Sequence, residues 1–222
     1  MIHIVIDYLS KNAGRPLHQN LKWYPVLTFY FEISTMNSLK KKTTFLLLIL
    51  PFILLNAQGE LKSVEGYSPQ IGAMVYMLED LKDRITEQVK DLDQTQTDFL
   101  YDADANSIGS LIMHLVSTES YYQIATLEGR EWTKDEFKKF GIAGELNEEV
   151  KSILKGEPIQ YYLDLWDEVR KKTLEGLKTK DDTWFASNLE EGLNYHYIWY
   201  HVMEHSANHM GQIATIKNRL PK

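Results

Sequence analysis

The sequence predicts an all-α protein whose principal domain is an antiparallel four-helix bundle. Four separate segments carry apolar residues at steps of three and four, which is the spacing of one face of an α-helix. The alternation of apolar and polar residues that is typical of β-strands is absent from the sequence. Because amphipathic helices must bury their apolar faces against one another, we expect the four helices to pack as a bundle.

The first three helices are delimited by capping residues, prolines and polar stretches. Ser68-Pro69 predicts the start of the first helix and Asn106-Ser107 the start of the second, while the third begins near Glu157-Pro158 and closes at 178–182. We expect one or two short helices in the charged segment between the second and third helices. The predicted inward stripes are Ile71, Met74, Leu78, Leu81, Ile85, Val89 and Leu92; Leu111, His114, Leu115, Thr118, Tyr121, Tyr122 and Ala125; and Ile159, Tyr162, Trp166, Val169 and Thr173.

The fourth helix is predicted over residues 195–220, and Pro221 ends it. His205 and His209 occupy two positions where a bundle helix would normally carry Leu or Ile. A step of four residues rotates the side chain by only about 40°. The two rings therefore lie one turn apart on the buried side, with His201 one turn earlier at its margin. The apolar residues of this stripe are Ile198, Val202, Ile213 and Ile216.

His114 is a third histidine on an inward face. Alone, it would be expected to be a hydrogen-bonded core residue. Three buried imidazoles without partners would be costly, because each has two nitrogens to satisfy. A shared cation removes that cost, so His114, His205 and His209 are the expected ligands of one divalent metal. A zinc-protease site is not indicated, because Ser206 stands where such sites have glutamate.

Three imidazoles leave at least one coordination position open, which is typical of a reactive metal rather than a structural one. Zinc is the expected ion, and nickel or another divalent ion is also compatible with this donor set. Two histidines one turn apart on a single helix cannot be opposite axial ligands of a haem, and a haem-attachment motif is missing.

Composition excludes several classes of partner. The chain has 222 residues and a net charge of −7, with its basic residues scattered, so a nucleic-acid partner is not expected. There is no cysteine, which excludes disulfides, thiolate ligands, thiol nucleophiles and lipoprotein anchoring. Aromatic residues are more numerous on the last three helices than one small core needs. They could line a pocket or form the face of a homodimer.

The N-terminal part of the chain predicts export. Lys40-Lys41-Lys42 precedes an apolar run over residues 45–55, and Ala57 follows it, as in a secretory signal peptide. The run is short and Pro51 interrupts it, so no stable membrane anchor is expected. We therefore interpret residues 1–35 as an over-extended start, residues 36–57 as the signal peptide and residues 58–222 as the exported bundle. Its destination would be the periplasm or the medium.

Two motifs resemble a known family. The segment His205-Ser-Ala-Asn-His209-Met-Gly-Gln-Ile213 is similar to the C-terminal motif of the DinB-like (damage-inducible) four-helix-bundle superfamily. The segment from Ser107 to Glu119, which contains His114, is similar to its helix-two motif. The resemblance covers about residues 66–220. It implies a metal triad of His114, His205 and His209 and close helix approach at Gly211. It also implies that Gln212 lies beside the ligands or serves in packing. Met210 stands where many members have a basic residue or histidine.

Two classes of function follow. The resemblance implies a metal-dependent enzyme, either a thiol transferase that uses bacillithiol or mycothiol, or a hydrolase acting on a small molecule. Glu119 and Glu204 are the candidate bases, and either carboxylate could instead orient a ligand histidine. His201 is expected to lie beside the ligands or on the substrate side. The alternative is a metal-binding or stress-related helical module without catalysis.

Overall fold

The computed structural model describes residues 60–146 and 153–221, and helices dominate both stretches. The predicted all-α class is confirmed. The predicted signal peptide and over-extended start lie outside the described residues. Four long helices form the body of the protein: α1 (Pro69–Val89), α3 (Ile108–Gln123), α5 (Ile159–Leu177) and α7 (Tyr195–Lys217).

Short elements connect the long helices. They are α2 (Gln94–Thr97), α4 (Lys134–Phe140), α6 (Asp182–Ala186) and a hairpin of β1 (Asn188–Glu190) and β2 (Leu193–Asn194). A π-helical turn, Ile124–Glu128, extends α3, and a 3₁₀ turn, Gly141–Ala143, follows α4. The predicted short helix between the second and third long helices is therefore present. Among the described residues, no helix combines the length and the apolar character that a membrane crossing requires.

Helices α1 and α5 are antiparallel neighbours. The Tyr67 hydroxyl, just before α1, donates to the Leu174 carbonyl near the end of α5 at 3.2 Å. Further along α1, the Leu78 carbonyl accepts from Arg170, which lies one turn earlier on α5. Later positions of one helix thus meet earlier positions of the other.

Helices α3 and α5 are parallel neighbours. Gly109 near the start of α3 faces the Tyr162 ring near the start of α5, and a Cβ at Gly109 would lie 2.8 Å from that ring. Ten residues later on α3, Glu119 accepts hydrogen bonds from Arg170. Later residues of α3 therefore meet later residues of α5, as they do in a parallel pair.

Helix α7 packs against both α3 and α1 and so completes the bundle. It runs antiparallel to α3, because Tyr122 lies against His201 while the earlier His114 lies against the later His209. It runs parallel to α1, since Lys217 near its end donates to the carbonyl of Gln88 near the end of α1. Two of the four neighbouring pairs are therefore parallel, and the prediction of an antiparallel bundle is correct only for the other two. A long connection between α3 and α5 makes a parallel pair possible.

Helix starts follow the predicted caps with one difference. Ser107 caps α3 by accepting from the Ser110 N–H at 3.1 Å. At the start of α1, the Ser68 hydroxyl accepts no hydrogen bond from a helix N–H and donates instead to Asp182. The Asp182 carboxylate accepts from the N–H groups of Gln70 and Ile71, and these bonds, led by that from Ser68, lower its pKa. A residue of α6 thus caps α1.

The core consists of two clusters. The larger joins α3, α5 and the C-terminal parts of α1 and α7 around Tyr162 and Trp166, both fully buried. The smaller joins the N-terminal parts of α1 and α7 with α6 around Phe185 and Trp199. These clusters fix α3 and α7 against each other, and the candidate site lies between those two helices.

Candidate metal centre

The three predicted histidines meet between α3 and α7. The ring centroids of His114 and His205 are 4.8 Å apart, those of His114 and His209 are 5.1 Å apart, and those of His205 and His209 are 4.5 Å apart. One nitrogen of each ring lies within 4.8 Å of the other two. His209 is buried and the other two rings are half-buried. Three histidines this close could bind one divalent metal ion.

Hydrogen bonds select the nitrogen that each ring presents to the centre. His114 Nδ1 lies 2.7 Å from the Ala143 carbonyl oxygen, so in the neutral ring Nδ1–H donates and Nε2 keeps its lone pair. His209 Nδ1 lies 3.1 Å from Gln212 Oε1 and donates in the same way. Both rings are therefore held in the tautomer whose Nε2 can bind a metal.

His205 provides the strongest indication that a ligand belongs here. Its Nε2 is buried and has no hydrogen-bond partner among the described residues. A buried polar atom without a partner costs about 1–3 kcal/mol. A cation shared with His114 and His209 would satisfy this atom, so the residues present fit a divalent metal on physical grounds.

Burial favours the neutral form of all three rings. Burial lowers the pKa of His114, although the hydrogen bond to Ala143 partly opposes this. Burial, together with the neighbouring histidines, lowers the pKa of His205 to about 3. Burial and His114 lower the pKa of His209. Neutral imidazoles are the form that binds metals, and they suit zinc, nickel and related divalent ions.

Gln212 and His201 lie beside the triad. Gln212 contacts His209 through Oε1 and donates through Nε2 to Asn208 Oδ1 at 3.3 Å, so its amide orientation is set by two partners. The His201 ring lies 5.6 Å from that of His205, and its Nδ1 is 3.9 Å from Glu204 Oε2. Gln212 and His201 therefore each lie next to one ring of the triad.

Glu119 has a different contact from the one expected. It is buried, and its oxygens accept from Arg170 Nε at 2.7 Å, Arg170 Nη2 at 2.8 Å and Trp166 Nε1 at 2.8 Å. Within the described residues its hydrogen-bond partners belong to α5 rather than to a histidine. Five residues separate His114 from Glu119, which rotates the carboxylate toward α5 and away from α7. Glu119 is thus neither a base nor an orienting group in this arrangement.

Gly211 and Met210 also differ from what the resemblance implies. Among the described residues, a Cβ at Gly211 would meet nothing within 4 Å, so no described helix approaches there and the expectation of close packing is wrong. A close approach between two long helices is found instead at Gly109 of α3. Met210 packs against the larger core cluster, where a charged side chain would be disfavoured.

Sequence reasoning missed two groups that shape the centre. The Ala143 carbonyl orients His114, but a backbone acceptor in a connecting turn leaves no signal in residue type. Tyr122 lies 5.8 Å from His201 by ring centroid, and it was predicted as a stripe residue and as one of the aromatic residues that could line a pocket or form a dimer face. Its position two turns after His114 on the same face could have indicated that it lies near the centre.

Comparisons with known proteins agree with this architecture. The family model described as mycothiol-S-transferase matches residues 73–221. The comparison with curated proteins finds no match. Among solved structures, a crystal structure of a conserved protein from Enterococcus faecalis superimposes with a TM-score of 0.53 at 13% identity. The match covers 66% of this chain and 94% of that chain, and at this identity it concerns the fold alone.

Proposed function

Because the chain belongs to the mycothiol-S-transferase family within the DinB-like superfamily, we propose that it is a metal-dependent thiol transferase. In this proposal it joins the sulfur of a small thiol to the carbon of an electrophile. The single observation that carries the proposal is the cluster of His114, His205 and His209 on facing helices.

The chemistry of the donor set supports a reactive site. A divalent metal held by three imidazoles supplies an open position at which a thiol or water loses its proton more easily. In the overall reaction an S–C bond forms, the bond from carbon to the leaving group breaks, and the thiol proton is released to solvent.

The chain's own residues have holding and orienting roles. His114, His205 and His209 would hold the ion, and the Ala143 carbonyl and Gln212 would orient two of the rings. Such orienting contacts raise the basicity of a ligand and keep it in place.

We also propose that the protein is exported, on the strength of Lys40-Lys41-Lys42 and the apolar run that follows. Small thiols are scarce and readily oxidised outside the cytosol. Metal-dependent hydrolysis, which needs only water, is for that reason the second candidate function.

Metal content and activity test the proposal together. Protein prepared without a histidine tag is expected to bind one equivalent of zinc or nickel in elemental analysis, and His205→Ala and His209→Ala are expected to bind none. His196→Ala, at an exposed histidine of the same helix, is the matched control and should bind as the unchanged protein does.

Turnover is then measured with iodoacetamide as electrophile and mycothiol, bacillithiol or cysteine as thiol. We expect thioether formation by the metal-loaded protein and its loss in His205→Ala. Equal metal content in all variants would contradict the site. A loaded triad that transfers no thiol but hydrolyses amide or ester substrates would favour the second candidate.

A further inference from the structure

A cleft with aromatic walls is lined in part by Tyr121, which lies on α3, the helix that carries His114. It has a volume of about 550 Å³ and is lined by Tyr121, Glu131, Trp132, Thr133, Lys134 and Phe137, which we call the aromatic cleft. Small-molecule sites typically have volumes of about 300–1,000 Å³ and mostly apolar walls. The cleft therefore has the size and lining of a ligand site.

The walls of the aromatic cleft leave large rings in contact with solvent. Tyr121 is 51% exposed and Phe137 is 59% exposed, although such rings gain most from burial. Their ring neighbour Trp132 lies 5.4 Å from Tyr121 and 6.0 Å from Phe137 by centroid. Three rings grouped around one cavity are typical of a binding site rather than of scattered surface aromatics.

The aromatic cleft is held in shape without a ligand. Trp132 Nε1 donates to Ser120 Oγ at 3.2 Å, which fixes the indole against α3. Glu136 and Thr133 form a capping box at the start of α4. Arg130 binds the Glu136 carboxylate through two nitrogens at 2.7 and 2.8 Å. Binding to such a preformed cleft costs little conformational entropy.

Ring contacts connect the aromatic cleft to the triad. Tyr121 packs on Tyr122 at 5.2 Å between centroids, Tyr122 on His201 at 5.8 Å, and His201 on His205 at 5.6 Å. A continuous series of rings thus leads from the wall of the cleft to a ligand histidine.

Resting on the proposed function, we propose that the aromatic cleft binds the aromatic part of the electrophile. The acceptor is an uncharged molecule with at least two fused rings, whose reactive carbon extends along Tyr122 and His201 toward the triad.

Two observations favour an acceptor that is uncharged and has fused rings. Tyr121 lies seven residues after His114 on α3, which is about 10 Å along the helix axis. Each added fused ring extends an aromatic acceptor further from the cleft toward the centre, so a fused or extended system covers more of this distance than a single ring does. Glu131 and Lys134 bring opposite charges to the rim, so the lining as a whole favours an uncharged ligand.

Binding is tested first without thiol or metal chemistry. The uncharged naphthalene dye prodan is titrated into the full chain, and its emission reports transfer to an apolar site. Phe137→Ala and Tyr121→Ala are each expected to weaken binding by about fivefold, since each removes one aromatic wall. Tyr161→Ala, which removes an exposed ring of α5 outside the cleft, is the matched control and should leave binding unchanged.

Turnover then compares 2-(bromomethyl)naphthalene with iodoacetamide. In both reactions the thiol sulfur forms a bond to the CH₂ carbon, the carbon–halogen bond breaks, and halide and a proton are released. The two cleft variants should raise the KM for the naphthalene about fivefold and change the KM for iodoacetamide by less than about twofold.

The outcomes separate the two proposals. Equal effects of the variants on both electrophiles, or prodan binding that no cleft variant weakens, would overturn the aromatic cleft as acceptor site. Absence of turnover with either electrophile would overturn the thiol transferase instead, and the prodan titration would still decide whether the cleft binds fused rings. Circular dichroism melting of each variant shows whether a loss of binding reflects unfolding.

Discussion

At the scale of single residues, Gln212 connects a ligand ring to its own helix. It accepts from His209 Nδ1 and donates to Asn208, so its removal would leave the ring free to rotate. We expect Gln212→Ala to weaken metal binding by about 10–100-fold, the usual effect of losing a group that orients a ligand. Competition with a chromogenic chelator measures the affinity.

Thr215→Ala is the control for Gln212→Ala, because Thr215 lies on the same helix and bonds only a backbone carbonyl in the described contacts. Its affinity should equal that of the unchanged protein. If Gln212→Ala binds metal equally well, Gln212 has no orienting role.

Glu119 has a structural role that depends on pH. Burial raises the pKa of its carboxyl, but the Arg170 charge and the hydrogen bonds from Arg170 and Trp166 outweigh burial and bring the pKa below its usual value of 4.5. A carboxyl with a depressed pKa contributes stability that is fully present above the unfolded-state pKa and is lost as the pH falls through the folded-state pKa. Stability should therefore decrease on acidification below about pH 4.5.

We expect Glu119→Gln to lose about 3 kcal/mol of unfolding free energy at pH 7, since it leaves Arg170 buried with less compensation. The variant should also show a smaller loss of stability between pH 7 and pH 4. Urea unfolding at both pH values measures this. Glu79→Gln, at the half-exposed second partner of Arg170, should cost less because solvent screens that pair. Equal costs for the two variants would contradict this account.

The part of the site that could be predicted from the sequence is the part set by spacing within one helix. Helical spacing alone placed His205 and His209 on one buried face, and the structure brings His114 to them. The Ala143 carbonyl could not be predicted, because any residue type offers a carbonyl. The placement of Glu119 failed because sequence proximity to His114 does not show which neighbouring helix the carboxylate faces.

At the scale of elements, two glycines distinguish a crowded helix surface from an open one. A Cβ at Gly109 would lie 2.8 Å from the buried Tyr162 ring, whereas one at Gly211 would meet nothing within 4 Å. Alanine gains up to about 1 kcal/mol over glycine inside a helix. Overpacking a rigid contact costs about 1–3 kcal/mol.

We therefore expect Gly211→Ala to raise the melting temperature and Gly109→Ala to lower it. Differential scanning calorimetry of the two variants measures both signs, and each serves as the control for the other. Stabilisation by both substitutions would show that α3 and α5 can move apart at no cost.

The predicted helices are correct where local chemistry sets their limits. Pro69 and Ser107 mark the starts of α1 and α3 as expected. The cap of α1 was assigned to Ser68, and the structure gives this role to Asp182, which is more than a hundred residues away in the chain. Local patterns contain no information about such a distant partner.

At the scale of the whole molecule, the histidine centre joins α3 to α7, which are distant in sequence. A metal bound there stabilises the folded state only, by about 2.7 kcal/mol at a free concentration of one hundred times Kd. For a domain of this size we expect the melting temperature to fall by about 5–10 °C when a chelator removes the metal. Differential scanning fluorimetry with and without EDTA measures the shift.

His209→Ala should show no change with EDTA, and His196→Ala should show the full change. A chelator shift that survives in His209→Ala would place the metal elsewhere. The same experiment is independent of any assumption about the substrate.

The direction of each helix was the least predictable property of the fold. Apolar stripes show that four helices need partners, but they do not show which ends meet. The parallel pairing of α3 with α5 depends on contacts between residues far apart in the sequence, such as that of Gly109 with Tyr162.

The parallel arrangement of α1 and α7 also decides how the bundle can be re-engineered. The start of α1 and the end of α7 lie at opposite ends of a 21-residue helix, which is about 30 Å long. A circularly permuted protein would therefore need a linker of about ten extended residues to join these positions. Bundles whose first and last helices are antiparallel can be closed with a far shorter turn.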